Sequence, residues 1–357
     1  MLIEQLSSRN LAAFKRFSEE TWDRPKGDPY FQWRYLDVPA ATTLMALQED
    51  RCAASVSVFS RTYHSGDEEV ECLEPFDWHS APAVKGSGIG IRLLKSLMDI
   101  GKPMVCVGGS ADTLRMVPRM GWKTIGHAKV LCLPLTSRYL LQNRRLPDPF
   151  KRVIAPPLDL ALSSWFKLAK ANGATKWACL PVPGIDRNLA HIDGPDGFRS
   201  VPDPRFFQWL ALGSPVTGTY VPMALTAHGE IVAWIIARLH RSKGLLHGTI
   251  LDIRVKRQDV ELAQNAVRHM VRTLEGLGAD YVRTITTSDF IAAACKKSGL
   301  LATGGTEVVM VWAGRHKLRL EQPHLCSPSD WAFSPLQDAL NYQEKQTGPS
   351  GVGAAVS

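Results

Sequence analysis

The chain has 357 residues, of which 45% are hydrophobic and 21% are charged, and its formal net charge is +8. This balance is typical of a folded protein of about two ordinary domains, and it excludes a disordered chain and a single small domain. The basic residues are dispersed without a dense Lys/Arg run. We therefore expect no nucleic-acid partner, and the positive charge suits an anionic small ligand.

Membrane, disulfide and metal signatures are missing from the sequence. No window approaches 18 uncharged apolar residues, and the N-terminus has no apolar run of the kind found in signal peptides, so no membrane span is expected. The seven cysteines are scattered and none forms a Cys-x-x-Cys pair, which argues against a disulfide framework. The histidines lack zinc spacing, so we expect no metal. The reducing cytoplasm is the simplest location.

Hydrophobic periodicity predicts a helix first and then a series of strands and helices. The first helix covers 11–21, where Leu11, Phe14 and Phe17 share one face. The next elements are strands at 43–47, 53–61 and 71–80, a helix at 89–100, a strand at 104–107, a helix at 111–119 and a strand at 128–134. This order predicts a mixed α/β (α+β) unit.

A second copy of this unit follows in the sequence. The segment DPYFQW at 28–33 recurs as DPRFFQW at 203–209, and Gly121 is echoed by Gly299. The offset is 175 at the first pair of aspartates and 178 at the glycines, so it is nearly constant. The copy continues with strands at 221–225 and 231–237, a helix at 261–277, a strand at 281–284, a helix at 289–297 and a strand at 307–312. Two copies at one long spacing indicate a domain duplication.

The duplication predicts two tandem domains, each a mixed sheet flanked by helices. The first covers 1–145 and the second covers 161–320. A proline cluster between them predicts a linker at 146–160. Residues 321–357 form a C-terminal extension whose polar and then Gly/Ala-rich end predicts a disordered tail.

A glycine-rich segment between a predicted strand and a predicted helix is the strongest candidate for binding chemistry. It reads PAVKGSGIG at 82–90. Glycines let the backbone approach a ligand closely, and a helix N-terminus attracts anions. The expected cofactor-binding residues are Ser80, Ala81, Lys85, Gly86, Ser87, Gly88, Ile89 and Gly90. A strand-to-helix turn without a ligand is the alternative reading of the same residues.

This segment resembles the signature of the GNAT superfamily of N-acetyltransferases, Pro-x-x-(Arg/Gln)-Gly-x-Gly-(Ile)-(Gly/Ala), with Lys85 at the Arg/Gln position. The family's next motif, Asn-x-x-Ala-x-x-x-Tyr-x-Lys-x-Gly-Phe, corresponds to 110–122, with Val117 in place of the tyrosine. The resemblance covers about 28–135 and, more faintly, 203–312. It implies acetyl-CoA as co-substrate and an amine or hydroxyl acceptor. The opening of the repeat is also similar to tandem members found near polysaccharide genes, which implies a small-molecule or saccharide acceptor.

Acyl transfer requires a base beside the acceptor and N–H groups that polarise the donor carbonyl. On a regular strand Asp77 and His79 share one face, opposite Trp78. His79 is the first candidate for the base because imidazole titrates near neutral pH, and Asp77 is a second catalytic candidate. Alternatively, the two side chains pair with each other or face solvent. Ser110 either assists the CoA thiolate or caps the following helix. Val117 has no proton to donate where the family has a tyrosine that is thought to protonate the departing thiolate.

The equivalent loop of the second copy, VKRQDVE at 255–261, has no glycine, and its two acidic residues would repel phosphate. We therefore expect CoA to bind only the first copy. Two other functions remain open, a non-catalytic CoA-binding or scaffold protein and a Fem-type aminoacyltransferase, which also pairs two such domains. The retained glycine loop argues against the Fem-type alternative, and an acetyl-CoA-dependent acyltransferase is the leading hypothesis.

Overall fold

The computed structural model describes residues 2–22, 27–65, 68–142, 144, 146–170, 177–181, 198–200, 203–212, 218–314 and 331–332. The elements of the first half are β1 (Leu2–Gln5), α1 (Leu11–Trp22), α2 (Asp28–Phe31) with a π-helical turn (Gln32–Leu36), β2 (Ala41–Gln48), β3 (Arg51–Ser65), β4 (Glu68–Ser80), α3 (Ile89–Met98), β5 (Met104–Val107), α4 (Ala111–Met116) and β6 (Lys123–Pro134). The helices and strands predicted for this half from periodicity are confirmed, with ends that differ by a few residues.

The remaining elements are α5 (Ser137–Gln142), α6 (Asp148–Lys170), β7 (Ala178–Pro181), β8 (Phe198–Ser200), α7 (Pro204–Leu212), β9 (Gly218–Ala227), β10 (Glu230–Ser242), β11 (Leu245–Val255), α8 (Val260–Gly276), β12 (Tyr281–Thr286), α9 (Asp289–Lys297), β13 (Leu301–Trp312) and β14 (Trp331–Ala332). The order predicted for the second copy is also confirmed. Of the predicted C-terminal extension at 321–357, only β14 belongs to the described residues, and it pairs with β8. The predicted tail at its end lies outside the described residues.

The interval expected to be an irregular linker is helical from Asp148 onward, as the first part of α6. Pro149 lies in the first helical turn, where the backbone N–H has no partner within the helix in any case. Pro156 and Pro157 lie inside the helix, where each removes one hydrogen-bond donor. No helix among the described residues has the length and apolar character needed to cross a membrane.

The strands of the two halves form one continuous sheet, whereas the duplication predicted two separate sheets. The order along the described sheet is β1-β2-β3-β4-β5-β13-β6-β12-β11-β10-β9-β7. β13 lies between β5 and β6, and β6 lies between β13 and β12. Each half therefore places its last strand beside the other half. Strands β2–β6 of the first half correspond in the repeat to β9–β13 of the second half. The strand order is therefore symmetric about the centre of the sheet, between β13 and β6.

The three largest hydrophobic cores of the described chain lie against this sheet. α3 packs on the strands of the first half, and α8 and α9 pack on the strands of the second half. A third core joins α1, α2 and α7 and contains side chains from both halves. The two halves contribute neighbouring strands to one sheet and side chains to one core. Buried surface therefore holds them together.

Candidate functional site

The strands β4 and β5 separate at the front of the first half. They run parallel but pair only at Leu73 and Met104, with a further bond of 2.8 Å from Leu73 N–H to Pro103 O. β4 then continues to Ser80 without another described partner on that edge, and the other edge of β5 pairs with β13. α3 and α4 begin just beyond the two strand ends. Open α/β sheets bind ligands at such carboxyl ends of parallel strands.

A β-bulge in β4 lies beside this opening. Asp77 and Trp78 together stand opposite the single residue Val56 of β3. Asp77 has a φ of +46°, a left-handed conformation that costs about 1–2 kcal/mol for a residue with a Cβ. Because a bulge bends its strand, it favours the departure of β4 from β5.

A buried ion pair fixes this bulge. Nη2 and Nε of Arg34 lie 2.6 and 3.1 Å from Oδ2 of Asp77, and the Tyr35 hydroxyl donates to the same oxygen at 2.9 Å. Arg34 is fully buried and Asp77 is 6% exposed. Asp77 is a catalytic candidate from the sequence, with pairing to His79 as the alternative. Three donors from the π-helical turn instead converge on one of its carboxylate oxygens, which makes Asp77 a residue that fixes the strand.

The strand segment after the bulge presents one backbone donor to the opening. Ala81 N–H donates to Ala53 O at 2.9 Å, so it is used within the sheet and is not the donor expected for a ligand. Because N–H groups alternate between the two edges of a strand, the N–H of Ser80 points toward β5. His79 is partly buried and pairs in register with Ser55.

The loop between β4 and α3 has the backbone form that an anion site requires. Gly86 and Gly88 have φ values of +88° and +79°, and a Cβ at either position would meet no atom within 4 Å. Gly88 is the N-cap of α3 and contributes no side-chain cap. In the described part of the chain, the N–H groups of Gly90 and Ile91 have no hydrogen-bond acceptor. The first turn of α3 therefore offers unpaired donors beside open space.

Gly90 is needed for a different reason, which is close packing. A Cβ at this position would lie 2.7 Å from Ser80 Oγ and 3.3 Å from Trp78 Nε1. Trp78 Nε1 donates to Gly90 O at 2.9 Å. The absence of a side chain at Gly90 thus lets α3 begin directly against the end of β4.

Exposed cations lie at the mouth of the opening. Lys85 Nζ is 3.5 Å from Asp112 Oδ2, and Arg115 Nη2 is 2.9 Å from Asp112 Oδ1. All three side chains are about half exposed or more, so these pairs contribute little to stability. An anionic ligand can therefore replace Asp112 as the partner of Lys85 at little cost.

Residues at the end of β5 complete the opening. Ser110 is the N-cap of α4, and its Oγ accepts from Thr113 N–H at 3.2 Å, as the capping alternative predicted. Gly108 and Gly109, which the sequence analysis did not single out, have φ values of +78° and +142°. The adjacent glycine pair was the available signal for this turn. Val117 is 3% exposed and packs in the core beneath α3.

A buried carboxylate lies where β4 leaves β5, and the sequence analysis gave it no role. Glu74 Oε1 accepts from the Tyr63 hydroxyl at 2.6 Å, and Arg61 Nε lies 3.2 Å from Glu74 Oε2. Burial, together with the Glu74 charge, raises the pKa of Tyr63 well above its usual range. Tyr63 thus remains a hydrogen-bond donor to Glu74.

The second half closes the equivalent helix end with its own carboxylate. Asp259 is the N-cap of α8, and its Oδ1 accepts from the N–H groups of Glu261 at 2.9 Å and Leu262 at 3.1 Å. Arg257 and Gln258 before it have positive φ values without being glycine. A fixed negative charge therefore lies at the helix end where α3 has only a glycine.

Comparison with known proteins gives a consistent fold. No family model and no curated protein matches the chain. A GCN5-related N-acetyltransferase from Anabaena variabilis matches with a TM-score of 0.57 and 14% identity, over 87% of this chain and 72% of that chain. An N-myristoyltransferase from Saccharomyces cerevisiae with bound myristoyl-CoA matches with a TM-score of 0.56 and 10% identity, over 87% and 83%. A probable N-acyltransferase from Enterococcus faecalis matches with a TM-score of 0.58 and 8% identity, over 87% and 71%.

The fold is therefore a mixed α/β fold of the acyltransferase type. It is shared with these solved acyltransferases, and it is the kind of fold expected from the resemblance of the glycine-rich loop to the GNAT signature. At these low identities the likeness establishes the fold alone, so the chemistry has to be argued from the site.

Proposed function

We propose that this protein is an acyl-CoA-dependent acyltransferase whose first half carries the active site. Acetyl-CoA is the donor, and an amine or hydroxyl group is the acceptor. One observation carries the proposal: the glycine-capped N-terminus of α3 opens onto the separation of β4 and β5, whereas α8 is capped by Asp259. The CoA ester bound to the matching yeast enzyme supports a donor of this class.

The donor binds through its pyrophosphate and its extended arm. The pyrophosphate accepts hydrogen bonds from the N–H groups of Gly90 and Ile91, and the α3 dipole favours its negative charge. Lys85 adds a cation once it releases Asp112. The pantetheine amides pair with the edge of β4 that β5 leaves open, as an added strand does in other complexes.

The transfer takes place at the end of β4. Ser80 N–H donates to the thioester oxygen, which gains negative charge as the acceptor attacks the carbonyl carbon. His79 takes the proton from the acceptor, the carbon–sulfur bond breaks, and CoA leaves as a thiolate. Solvent protonates the thiolate because Val117 has no proton to donate. Asp77 acts through the bulge and does not touch the substrate, and Ser110 lies beside the departing sulfur.

A saccharide or another small precursor of a surface polysaccharide is the acceptor class we propose, and the reaction takes place in the cytoplasm. This choice rests on the similarity of the 28–35 segment to tandem members found near polysaccharide genes. An acetylation assay with amino sugars and simple amines tests it. Transfer to amines but to no sugar would remove the saccharide part and leave the acyltransferase proposal intact.

Calorimetric titration of acetyl-CoA into the protein tests donor binding. We expect one site per chain, and we expect Gly88→Ala to weaken binding by about tenfold or more, because a side chain enters the phosphate site under backbone strain. Gly244→Ala is the matched control, since Gly244 also has a positive φ of +78° and open space around its Cβ. Two binding sites per chain would contradict our inference that Asp259 blocks CoA binding at α8. No binding would contradict the proposal that acetyl-CoA is the donor.

Steady-state turnover tests the base. We expect His79→Ala to lower the rate of acetyl transfer by about a hundredfold, the usual size of a general-base contribution, with acetyl-CoA affinity unchanged. A rate equal to that of the wild type would clear His79 of this role. Wild-type binding without any turnover would favour the scaffold alternative, and transfer that depends on aminoacyl-tRNA would favour the Fem-type alternative.

A further inference from the structure

Exposed apolar side chains of the described residues concentrate on one element. Ten large hydrophobic residues are substantially exposed, and five of them lie in α6 or just before it. These five are Leu146, Phe150, Val153, Leu160 and Trp165, with exposures between 38% and 74%. Single exposed apolar residues are ordinary on a protein surface, whereas a cluster of this kind marks an interaction site.

Helix geometry brings these side chains to one face of α6. At about 100° per residue, Phe150, Val153, Leu160 and Trp165 fall within an arc of about 140°, and no charged residue falls within it. Another side of the helix contacts the protein, where Asp159 Oδ1 accepts from Ser137 N–H at 2.6 Å. We call the four residues the apolar face of α6.

A basic surface borders the N-terminal end of this face. Arg138 Nη2 donates to Gly244 O and Gln142 Nε2 donates to Lys243 O, both at 2.7 Å, which holds the β10–β11 turn against α5. α5 in turn packs against α6. The exposed cations of this surface are Arg138, Arg144, Arg241 and Lys243.

The sequence places cations at both ends of α6. The segment 137–170 contains seven Lys or Arg residues and two Asp residues, a net charge of +5 out of +8 for the whole chain. Lys167 and Lys170 belong to its last turns. The segment that contains α6 is therefore strongly basic, and its described exposed cations border the N-terminal end of the apolar face.

We propose that α6 is an interfacial helix that binds the surface of an anionic phospholipid membrane. Its apolar face enters the boundary between head groups and acyl chains, where Phe and Trp side chains are favoured. The flanking Lys and Arg residues contact the anionic head groups. This activity is independent of acyl transfer, and it would bring the active site next to acceptors held at a membrane.

A second copy of the chain is a poorer occupant. A two-fold dimer places the same patch on both partners. Because the segment 137–170 carries a net charge of +5, packing two copies of it against each other would bring like charges together. An anionic surface complements this charge.

Sedimentation with vesicles tests the proposal on the full chain. We expect binding to vesicles of phosphatidylcholine mixed with phosphatidylglycerol, weaker binding in high salt, and little binding to phosphatidylcholine alone. The triple change Phe150→Ser, Leu160→Ser, Trp165→Ser should weaken binding by about tenfold or more, because it removes the apolar contact. The matched control is Leu2→Ser, Leu277→Ser, Leu301→Ser, whose side chains are also 49% to 58% exposed and lie outside α6.

A second variant keeps the apolar face and reverses the charge. Arg144→Glu with Lys243→Glu should also reduce binding to anionic vesicles, and unchanged thermal melting of each variant shows that it is folded. Equal binding by the apolar triple variant and its control would overturn the proposal, as would an absence of wild-type binding to anionic vesicles. A wild-type dimer that the triple change dissociates, without vesicle binding, would assign the face to a second copy.

Discussion

Trp33 and Trp209 stack on each other with ring centroids 4.6 Å apart and planes inclined by 13°. Each indole N–H donates to the main-chain carbonyl of the other residue, at 3.2 Å from Trp33 and 2.7 Å from Trp209. The two residues are equivalent in the sequence repeat and 176 positions apart. Reciprocal hydrogen bonds between two equivalent residues are typical of an interface with two-fold symmetry. The sequence repeat thus corresponds to a symmetric contact between the two halves of one chain.

A double-mutant cycle tests this interface. Trp33→Phe and Trp209→Phe each remove one indole donor and keep an aromatic ring, so we expect each to lower the free energy of unfolding by about 1–3 kcal/mol. Because the two side chains touch, the double variant should lose less than the sum, with a coupling of about 0.5–3 kcal/mol. Urea denaturation measures all four proteins. Additive losses would show that the stack is not a stabilising unit.

The packing of α3 against β4 makes a rescue experiment possible. Gly90→Ala should weaken acetyl-CoA binding by about tenfold, because the new Cβ meets Ser80 Oγ at 2.7 Å and shifts the helix end that holds the pyrophosphate. Adding Ser80→Ala removes that oxygen, so the double variant should regain most of the affinity. Calorimetric titration of acetyl-CoA into the two variants measures this recovery. If the double variant binds acetyl-CoA as weakly as Gly90→Ala, contact with Ser80 Oγ is not the cause of the loss.

The ion pair between Arg34 and Asp77 should be needed for the bulge. Arg34→Leu leaves the Asp77 carboxylate buried without its cation, which typically costs about 3–5 kcal/mol. Arg34→Leu combined with Asp77→Asn removes the stranded charge, so it should be more stable than the single variant. Chemical denaturation provides the comparison. A double variant that is less stable than Arg34→Leu would contradict the ion-pair explanation.

The same pair positions the reacting groups if the proposed reaction is correct. In variants that still fold, disturbance of the bulge should lower kcat more than it raises KM for acetyl-CoA, because the phosphate loop is left intact. Steady-state kinetics with varied acetyl-CoA measures the two constants. A change confined to KM would show that the bulge serves donor binding.

His247 gives the folded state a dependence on pH. Its Nδ1 lies 2.5 Å from the Tyr281 hydroxyl and its Nε2 lies 3.2 Å from Ser242 O, an arrangement that fits a neutral ring. Burial lowers the pKa of His247 below its ordinary value of 6.5. Below about that pH the unfolded chain binds a proton more readily than the folded chain, so the free energy of unfolding falls as pH falls.

Denaturation at a series of pH values tests this dependence. His247→Gln cannot titrate, so its loss of stability between about pH 7 and pH 5 should be smaller than that of the wild type. His269, whose pKa burial also lowers, leaves a residual slope of the same sign. Parallel curves for the two proteins would exclude His247 as a source of the pH dependence.

The elements of both halves and the glycine loop could be predicted from the sequence because they depend on local properties. Periodic apolar residues define helix and strand faces, and Gly86 and Gly88 occupy conformations that other residues adopt only under strain. The N-cap role of Ser110 was available as an alternative for the same reason. The prolines within 146–160 did not predict a helix, whereas α6 accommodates them.

The shared sheet and much of the site followed only from tertiary structure. Arg34 and Asp77 are 43 positions apart, and nothing in either neighbourhood specifies the other as its partner. The bulge directs the Asp77 carboxylate toward Arg34. The sheet register pairs Ala81 N–H with Ala53 O. Strand alternation alone predicts neither contact.

The sequence by itself determined two copies of one α/β pattern and a single glycine-rich loop, since backbone preference and periodicity are written in neighbouring residues. Only the tertiary structure decided that β6 and β13 each lie beside the other half. Because β6 and β13 are equivalent strands of the repeat, the local sequence pattern cannot say which half each strand pairs with. The pairing depends on which arrangement hydrogen-bonds the backbone groups at the strand edges and at the same time buries the contact between Trp33 and Trp209.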